Sequence, residues 1–124
     1  MKHEEFTEQV IKAFYKVYNT LGYGFLEKVY ENALFIELMK YGFEVERQKS
    51  ICVYYDDIEV GIYYADIVVN DVVIIELKAS EALVEEHAVQ LVNYLKATNV
   101  EVGLLLNFGK KPEVKRKVFD NNLK

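Results

Sequence analysis

The sequence is short of the residues that build disulfide-rich folds or long linkers. Cys52 is the one cysteine among 124 residues, so an internal disulfide is excluded and a reducing cytoplasm is favoured. One proline and six glycines leave little room for flexible linkers. Apolar runs such as residues 72–75 fall far short of the ~20 residues that span a bilayer, and the charged first five residues are unlike a signal peptide. We therefore expect one cytoplasmic domain over residues 1–124, without a membrane.

The chain also lacks an excess of positive charge. Its 15 Lys and Arg residues stand against 20 Asp and Glu residues, which gives a net charge of −5. Proteins that coat nucleic acid are usually basic, because neutralising phosphates supplies most of their affinity. The composition therefore argues against a DNA-coating role. It leaves room for an enzyme with a local basic strip, or with an acidic site that metal ions neutralise.

Hydrophobic periodicity divides the chain into helices and strands. Apolar residues recur at helical spacing in three segments, which predicts three helices: 4–20, from Leu26 to a stop at Tyr41-Gly42, and 84–97. A short last helix is predicted after Pro112. A period of two or a buried apolar run predicts strands at 43–47, 51–55, 58–69, 72–77 and 100–106. The resulting order, α-α-β-β-β-β-α-β-α, indicates an α/β fold with a single mixed β-sheet flanked by helices.

Three charged residues lie in or beside two predicted strands whose neighbouring positions, 64–69 and 72–77, are otherwise apolar. Asp66 lies in the strand predicted at 58–69, and Glu76 and Lys78 lie in or directly after the next one. Burying an unpaired carboxylate or ammonium group is costly, so these side chains must pair with each other or with a bound cation. Glu76 and Lys78 are two residues apart, and they therefore point to the same face of the strand.

The register of the hairpin decides whether Asp66 joins them. Asp66 and Glu76 lie opposite each other only if Val69 pairs with Val73, which leaves a three-residue loop at 70–72. A regular two-residue turn would send Glu76 to the far face of the sheet. We therefore predict a three-residue or bulged turn at this position.

Two adjacent carboxylates and a lysine suit the hydrolysis of a phosphodiester. Carboxylate oxygens are preferred ligands of hard cations such as Mg²⁺ or Mn²⁺. Such an ion polarises a phosphoryl oxygen and lowers the pKa of a bound water, and Lys78 would orient that water or offset developing charge. The alternative is a structural ion pair of Lys78 with Asp66 or Glu76 that performs no catalysis.

Polar side chains elsewhere extend the candidate site. Glu27 and Tyr30 share a face of the second predicted helix, and Gln90 and Tyr94 share a face of the third. The alternative for Gln90 is a strand-end cap or a solvent-facing side chain. Basic residues that would hold a phosphate backbone, or else form a solvated face, are Lys110, Lys111, Lys115, Arg116 and Lys117 near the C-terminus and Arg47 and Lys49 on an early strand.

The order of these motifs resembles a known family. Asp66 followed by Glu76-x-Lys78, on consecutive strands after a helix, resembles the signature of the PD-(D/E)XK nuclease superfamily. The segment Gly24-Phe25-Leu26-Glu27-Lys28-Val29-Tyr30 is similar to the pattern that names the GxxExxY family. Further similar segments follow in order and cover nearly the whole chain: 46–48, 65–66, 75–79, 90–98 and 103–109.

The resemblance implies a restriction-endonuclease-like core and a Mg²⁺- or Mn²⁺-dependent nuclease, with DNA favoured over RNA and a homodimer as a compatible assembly. It implies metal ligation by Asp66 and Glu76, completed by Glu27, and catalytic roles for Lys78 and for Gln90 of a helical Q-x-x-x-Y element. The candidate substrate-binding residues are Tyr30, Tyr94, Lys115 and Arg116.

This sequence departs from the family pattern at two points. Tyr64 stands where an arginine is expected, which removes one phosphate or carboxylate contact. The superfamily's proline before the aspartate is also absent. Two other functions stay open: a non-catalytic interaction module that retains the nuclease fold and uses its sheet edge or tyrosine-rich surface, and a metal-dependent hydrolase of a smaller phosphate ester.

Overall fold

A computed structural model of the chain describes residues 2–124. Over this range it contains three α-helices, five β-strands and a short 3₁₀ turn at Asn121–Leu123. The helices and strands are α1 (Glu4–Leu21), α2 (Glu27–Lys40), β1 (Val45–Tyr55), β2 (Ile58–Val69), β3 (Val73–Lys78), α3 (Glu85–Lys96), β4 (Val102–Phe108) and β5 (Pro112–Val118).

The strands lie side by side in chain order in one sheet. β3 and β4 are parallel, with α3 as the crossover between them, and the other neighbouring pairs are antiparallel. The mixed sheet with flanking helices confirms the predicted fold class. No helix within residues 2–124 is long and apolar enough to cross a membrane.

Each face of the sheet is covered by helices. Alternate strand residues, such as Ile75 and Leu104, pack with α1 and α2 in one apolar core. The residues between them, such as Ile74 and Leu105, pack against α3 in a second core. Because side chains alternate along a strand, the even-numbered positions of β3 are directed to the α3 side. This face therefore carries Glu76.

The first strand, β1, and the last strand, β5, differ from the sequence prediction. The strands predicted at 43–47 and 51–55 are one strand, β1, which continues through Gln48 even though this residue has a left-handed φ of 51°. The predicted last helix is wrong, because residues 112–118 form β5, an edge strand antiparallel to β4. Pro112 is the first residue of this edge strand, a position where its missing N–H is tolerated.

The β1–β2 hairpin is much longer than its neighbours in the sheet. It turns at Asp56-Asp57, as predicted, and both residues have left-handed φ values. β2 pairs with β3 only through residues 67–69, so the outer half of the hairpin extends beyond the sheet. This extension faces α3 across a groove.

Candidate functional site

The β2–β3 turn sets the register of the candidate site. Its loop consists of residues 70–72, of which the first two have left-handed φ values of 51° and 54°. Val69 pairs with Val73 across this loop. The predicted three-residue turn is therefore confirmed, and Asp66 and Glu76 lie directly beside the last backbone pair, Ile67 with Ile75, on their two strands.

Asp66 lies at the point where β2 and β3 separate. The two strands pair at 67–69 with 73–75, and beyond these pairs Asp66 Oδ2 accepts a hydrogen bond from the N–H of Leu77 at 2.8 Å. A side-chain carboxylate thus occupies the place of a backbone acceptor. Its other oxygen, Oδ1, accepts a long hydrogen bond of 3.4 Å from Gln48 Nε2 on β1. The carboxylate is therefore fixed from both neighbouring strands.

Glu76 is buried against the carboxylate of Asp66. Only 7% of the Glu76 surface is exposed to solvent. Burial, together with the hydrogen bond and the charge of Asp66, raises the pKa of Glu76 to about 10. At neutral pH the metal-free protein therefore keeps a proton on Glu76. A divalent cation would replace this proton, which is the behaviour expected of two carboxylates that bind a metal.

Lys78 lies on the same face of β3, two residues beyond Glu76. It is half-buried, and its ammonium group forms none of the ion pairs found within residues 2–124. The structural ion pair with Asp66 or Glu76 is therefore absent from this part of the chain. The charge of Lys78 nevertheless opposes the rise in the pKa of Glu76, so the ammonium group lies within electrostatic range of the carboxyl group.

Helix α3 contributes Gln90 and Tyr94 to this face. Gln90 Nε2 donates a hydrogen bond of 2.8 Å to the hydroxyl of Tyr94. Burial, and next the charge of Glu76, raises the pKa of Tyr94 to about 12, which places the phenol near the carboxylates. The Tyr94 ring also approaches Tyr63 of β2, with 5.7 Å between centroids. The Q-x-x-x-Y pair thus lies beside the acidic pair.

A buried network that the sequence prediction missed supports Asp66 from the side of α2. Glu31 is 4% exposed, and its Oε1 accepts a 2.7 Å hydrogen bond from Gln48 Nε2. Its Oε2 accepts hydrogen bonds from Lys28 at 2.9 Å and from Arg47 at 3.0 and 3.2 Å. Burial alone would raise the pKa of Glu31, but the hydrogen bonds from these three partners outweigh it and lower the pKa. Gln48 therefore connects a buried carboxylate to Asp66.

Comparison with known proteins agrees with this geometry. A model of the PD-(D/E)XK nuclease superfamily matches residues 4–117. The chain belongs to the PD-(D/E)XK nuclease superfamily. Nucleases of this superfamily generally use divalent metal ions such as Mg²⁺. The narrower GxxExxY assignment stays a prediction.

Two further comparisons give no information on function, and one of them supports the fold. The chain is similar to a crystal structure of SSO0001, with a TM-score of 0.58 and 18% sequence identity. The match covers 95% of this chain and 60% of that one, so the chain spans less than two thirds of SSO0001. A likeness at this identity concerns the fold alone. A search of curated proteins returned no match.

In this PD-(D/E)XK protein, Glu27 does not join the acidic pair. Within residues 2–124, no three His, Cys, Asp or Glu side chains form a group that could hold a metal ion. Glu27 is exposed in the first turn of α2, one helical turn before Glu31 on the same stripe. The expectation that Glu27 completes the metal site is therefore corrected: the carboxylate that α2 buries is Glu31.

Tyr30 belongs to the core rather than to a substrate surface. Its ring is fully buried and stacks on Phe108, with 4.2 Å between centroids. Its hydroxyl donates to the O of Gly22 at 2.6 Å and accepts from the N–H of Phe25 at 3.2 Å. The predicted substrate contact is therefore corrected, because the ring packs in the core against β4 and the hydroxyl holds the loop that precedes α2.

Lys115 and Arg116 point to opposite faces of the sheet, since they are consecutive residues of β5. Lys115 pairs with Leu105, whose side chain lies on the α3 side. Arg116 pairs with Leu104 on the α1–α2 side and donates a hydrogen bond to the backbone O of Lys2. The two residues predicted to bind the substrate from this segment are therefore separated by the sheet, and their contact with the substrate stays a prediction. Lys115 is the one that shares a face with the acidic pair.

Proposed function

We propose that this protein is a Mg²⁺- or Mn²⁺-dependent nuclease that hydrolyses phosphodiester bonds, with DNA favoured over RNA. The observation that carries the proposal is the meeting of Asp66 and Glu76, with Lys78 on the same face of β3, in a PD-(D/E)XK fold. A cytoplasmic location and a single domain over residues 1–124 are parts of the same proposal, and they rest on the lone cysteine and the chain length.

The side chains present fit a hard divalent cation. Asp66 and Glu76 supply oxygen donors, and burial together with Asp66 raises the pKa of Glu76 to about 10 although the charge of Lys78 opposes this rise. Mg²⁺ is commonly held by one or two carboxylates, with water and substrate phosphate oxygens completing its coordination. A third protein carboxylate is therefore not required. The ion, when bound, would polarise the phosphoryl group and acidify a water.

The other residues would act around this centre. Lys78 would hold the attacking water or offset negative charge on the phosphate, because its ammonium group is on the same face and forms no ion pair with any of residues 2–124. Gln90 and Tyr94 would orient the substrate from the α3 side through the amide and the phenol. Glu31 would act through Gln48, by keeping the Asp66 carboxylate in place.

A cleavage assay tests the proposal directly. Labelled single-stranded, double-stranded, flapped and junction DNA and RNA, together with a small phosphodiester, are incubated with Mg²⁺ or Mn²⁺. Wild-type protein should cut a nucleic acid, whereas Asp66→Asn and Lys78→Ala should lose cutting while remaining folded. Lys16→Ala is the matched control, since this lysine lies on α1 and pairs with Glu37 instead. The proposal fails if nothing is cut and calorimetry detects no metal binding that depends on Asp66.

The runner-up function, a non-catalytic interaction module, rests on one observation. The outer half of the hairpin exposes apolar side chains that a monomer usually covers. Such a surface also suits a homodimer, which sedimentation would detect as a doubled mass. The residues concerned and their exposed fractions are Tyr54 (63%), Tyr55 (71%), Ile58 (67%), Val60 (61%), Ile62 (48%) and Tyr64 (53%).

A further inference from the structure

A groove of about 910 Å³ lies between the outer half of the β1–β2 hairpin and α3. It is large enough for a nucleotide-sized ligand, because pockets for small ligands are commonly about 300–1,000 Å³. Neither the acidic pair nor Lys78 lines it. The lining residues that matter here are Tyr54 and Tyr63 on the hairpin and Gln90, Asn93 and Tyr94 on α3.

The groove is continuous with the candidate active site. Gln90 and Tyr94 line the groove, and the Tyr94 phenol is within electrostatic range of Glu76 and Asp66. Tyr63 extends the same wall, because its ring meets that of Tyr94. A substrate strand cut at the acidic pair would therefore run directly into this groove.

The lining favours an uncharged planar group over a phosphate. Tyr54 and Tyr63 are 63% and 48% exposed, so their rings are open to stacking, and the amide of Asn93 is open to the polar edge of a base. Glu85, Glu86 and Lys96 also line the groove. The Lys96 ammonium group lies over the ring of Phe119, and the two exposed carboxylates leave the lining with a net negative charge that repels a phosphate backbone. Aromatic faces, amides and acidic groups together describe a site for a nucleobase.

We propose that this groove holds an unstacked nucleobase of a single strand that leaves the Asp66–Glu76 site, so that the substrate is an unpaired strand or end rather than a blunt duplex. The proposal rests on the proposed nuclease function. A base can stack on the groove tyrosines only after it leaves its own helix, because a duplex hides base faces and costs a few kcal/mol to open. Strands that are already unpaired avoid this cost.

Binding without cleavage separates this proposal from the chemistry. Lys78→Ala protein with Mg²⁺ is titrated, by fluorescence anisotropy, into a labelled strand of about 12 nucleotides. The same experiment uses its RNA counterpart, a blunt duplex, an abasic strand of equal length and a free nucleoside monophosphate. The base-containing strand should bind about tenfold more tightly than the abasic strand or the blunt duplex, since stacking contributes about 1–3 kcal/mol per base.

Groove variants in the same Lys78→Ala background locate the contact. Tyr54→Ala and Tyr63→Ala should each weaken binding of the base-containing strand about tenfold, and Tyr54→Phe and Tyr63→Phe should retain it, because stacking needs the ring and not the hydroxyl. Tyr55→Ala is the matched control, since this tyrosine is adjacent in the hairpin but does not line the groove.

The outcomes distinguish the two proposals. Equal binding of abasic and base-containing strands, or tyrosine variants that bind like the control, would overturn the groove assignment while metal-dependent cutting by wild-type protein left the nuclease function standing. A nucleoside monophosphate that binds as tightly as the strand would also overturn it, in favour of a small-molecule pocket. If wild-type protein neither cuts nor binds any nucleic acid, both proposals fall.

Discussion

Glu76 is held in an environment that opposes its charge. Its pKa is near 4.5 in the unfolded chain and about 10 in the folded, metal-free protein, because of burial and of the neighbouring Asp66. A raised folded-state pKa favours the protonated, folded form, so its contribution to stability is full below the unfolded pKa and is lost as pH rises toward the folded value. The loss amounts to about 1.4 kcal/mol per pH unit within that window.

This shift predicts how stability depends on pH. In EDTA, we expect the free energy of unfolding of the wild-type protein to fall between about pH 6 and 9 more steeply than that of Glu76→Gln, which carries no proton to lose. Urea unfolding at several pH values measures both slopes, and the difference between them isolates Glu76 from other titrating groups. Parallel curves would contradict the raised pKa.

The hydrogen bonds of Glu31 lead us to expect that this residue affects metal binding without contacting the metal. Glu31→Gln keeps the size of the side chain but weakens the hydrogen bonds from Lys28, Arg47 and Gln48. We expect a loss of about 1–3 kcal/mol in unfolding free energy. We also expect about tenfold weaker Mn²⁺ binding by calorimetry, as is typical when a residue that supports a metal ligand is removed.

Helix α2 offers a matched control for this prediction. Glu37 is also buried on α2, 6% exposed, but within residues 2–124 its ion pairs are with Lys16 and Lys40, not with the Asp66 network. Glu37→Gln should lower stability while leaving Mn²⁺ affinity unchanged. If both variants bind Mn²⁺ equally well, Glu31 has only a structural role.

The sequence identified the acidic pair but not its support, for a physical reason. Strand alternation and one register argument suffice to bring Asp66 and Glu76 together, because they lie on neighbouring strands. The contact from Glu31 through Gln48 depends on tertiary packing between α2 and β1, which no local pattern encodes. One signal was available: Glu31 is an acidic residue among the inward-facing positions of α2.

One residue of strand β1 has a backbone conformation that favours glycine over β-branched residues, which is the reverse of the usual preference in a strand. Gln48 has φ of 51°, a region that glycine enters without strain and that costs other residues about 1–2 kcal/mol, most of all β-branched ones. We therefore expect Gln48→Gly to be more stable than Gln48→Val by about 1–2 kcal/mol. Urea unfolding of the two variants measures the difference.

A regular position of the same strand provides the control. Ser50 pairs with Tyr64 in the uninterrupted part of the β1–β2 ladder and is exposed. There, valine should be more stable than glycine, as β-propensity requires. If valine is also the better residue at position 48, the left-handed conformation does not persist in solution.

The two wrong element predictions have related causes. Residues 112–118 were predicted as a helix because Pro112 suits a first helical turn, whereas β5 forms because the edge of β4 offers it backbone hydrogen bonds. The break predicted between 47 and 51 coincides with a real irregularity, since Gln48 has a left-handed φ of 51°. The ladder with β2 nevertheless carries the strand across it, with Arg47 opposite Ile67 and Lys49 opposite Ala65. Tertiary pairing thus overrode local preference in both cases.

The balance of charge over the molecule predicts how a substrate approaches. A net charge of −5 repels a polyanion, and the Asp66 carboxylate lies where the proposed phosphate would bind. A bound divalent ion would reverse this local repulsion, so nucleic-acid binding by the wild-type protein should depend on Mg²⁺. Removing the negative charge of Asp66 should therefore make nucleic-acid binding less dependent on Mg²⁺. A unit charge about 6 Å from a phosphate contributes roughly 0.7 kcal/mol in water, or about threefold in affinity.

We therefore expect Asp66→Asn to bind single-stranded DNA about threefold more tightly than wild-type protein in EDTA, although it cannot cut. Asp57→Asn removes the same charge at the tip of the hairpin, and it should change affinity less if the phosphate binds at the acidic pair. Anisotropy titrations of the three proteins at low salt give the comparison, and raising the salt should reduce the difference. Equal gains in the two variants would mean that only net charge matters and that no phosphate lies beside Asp66.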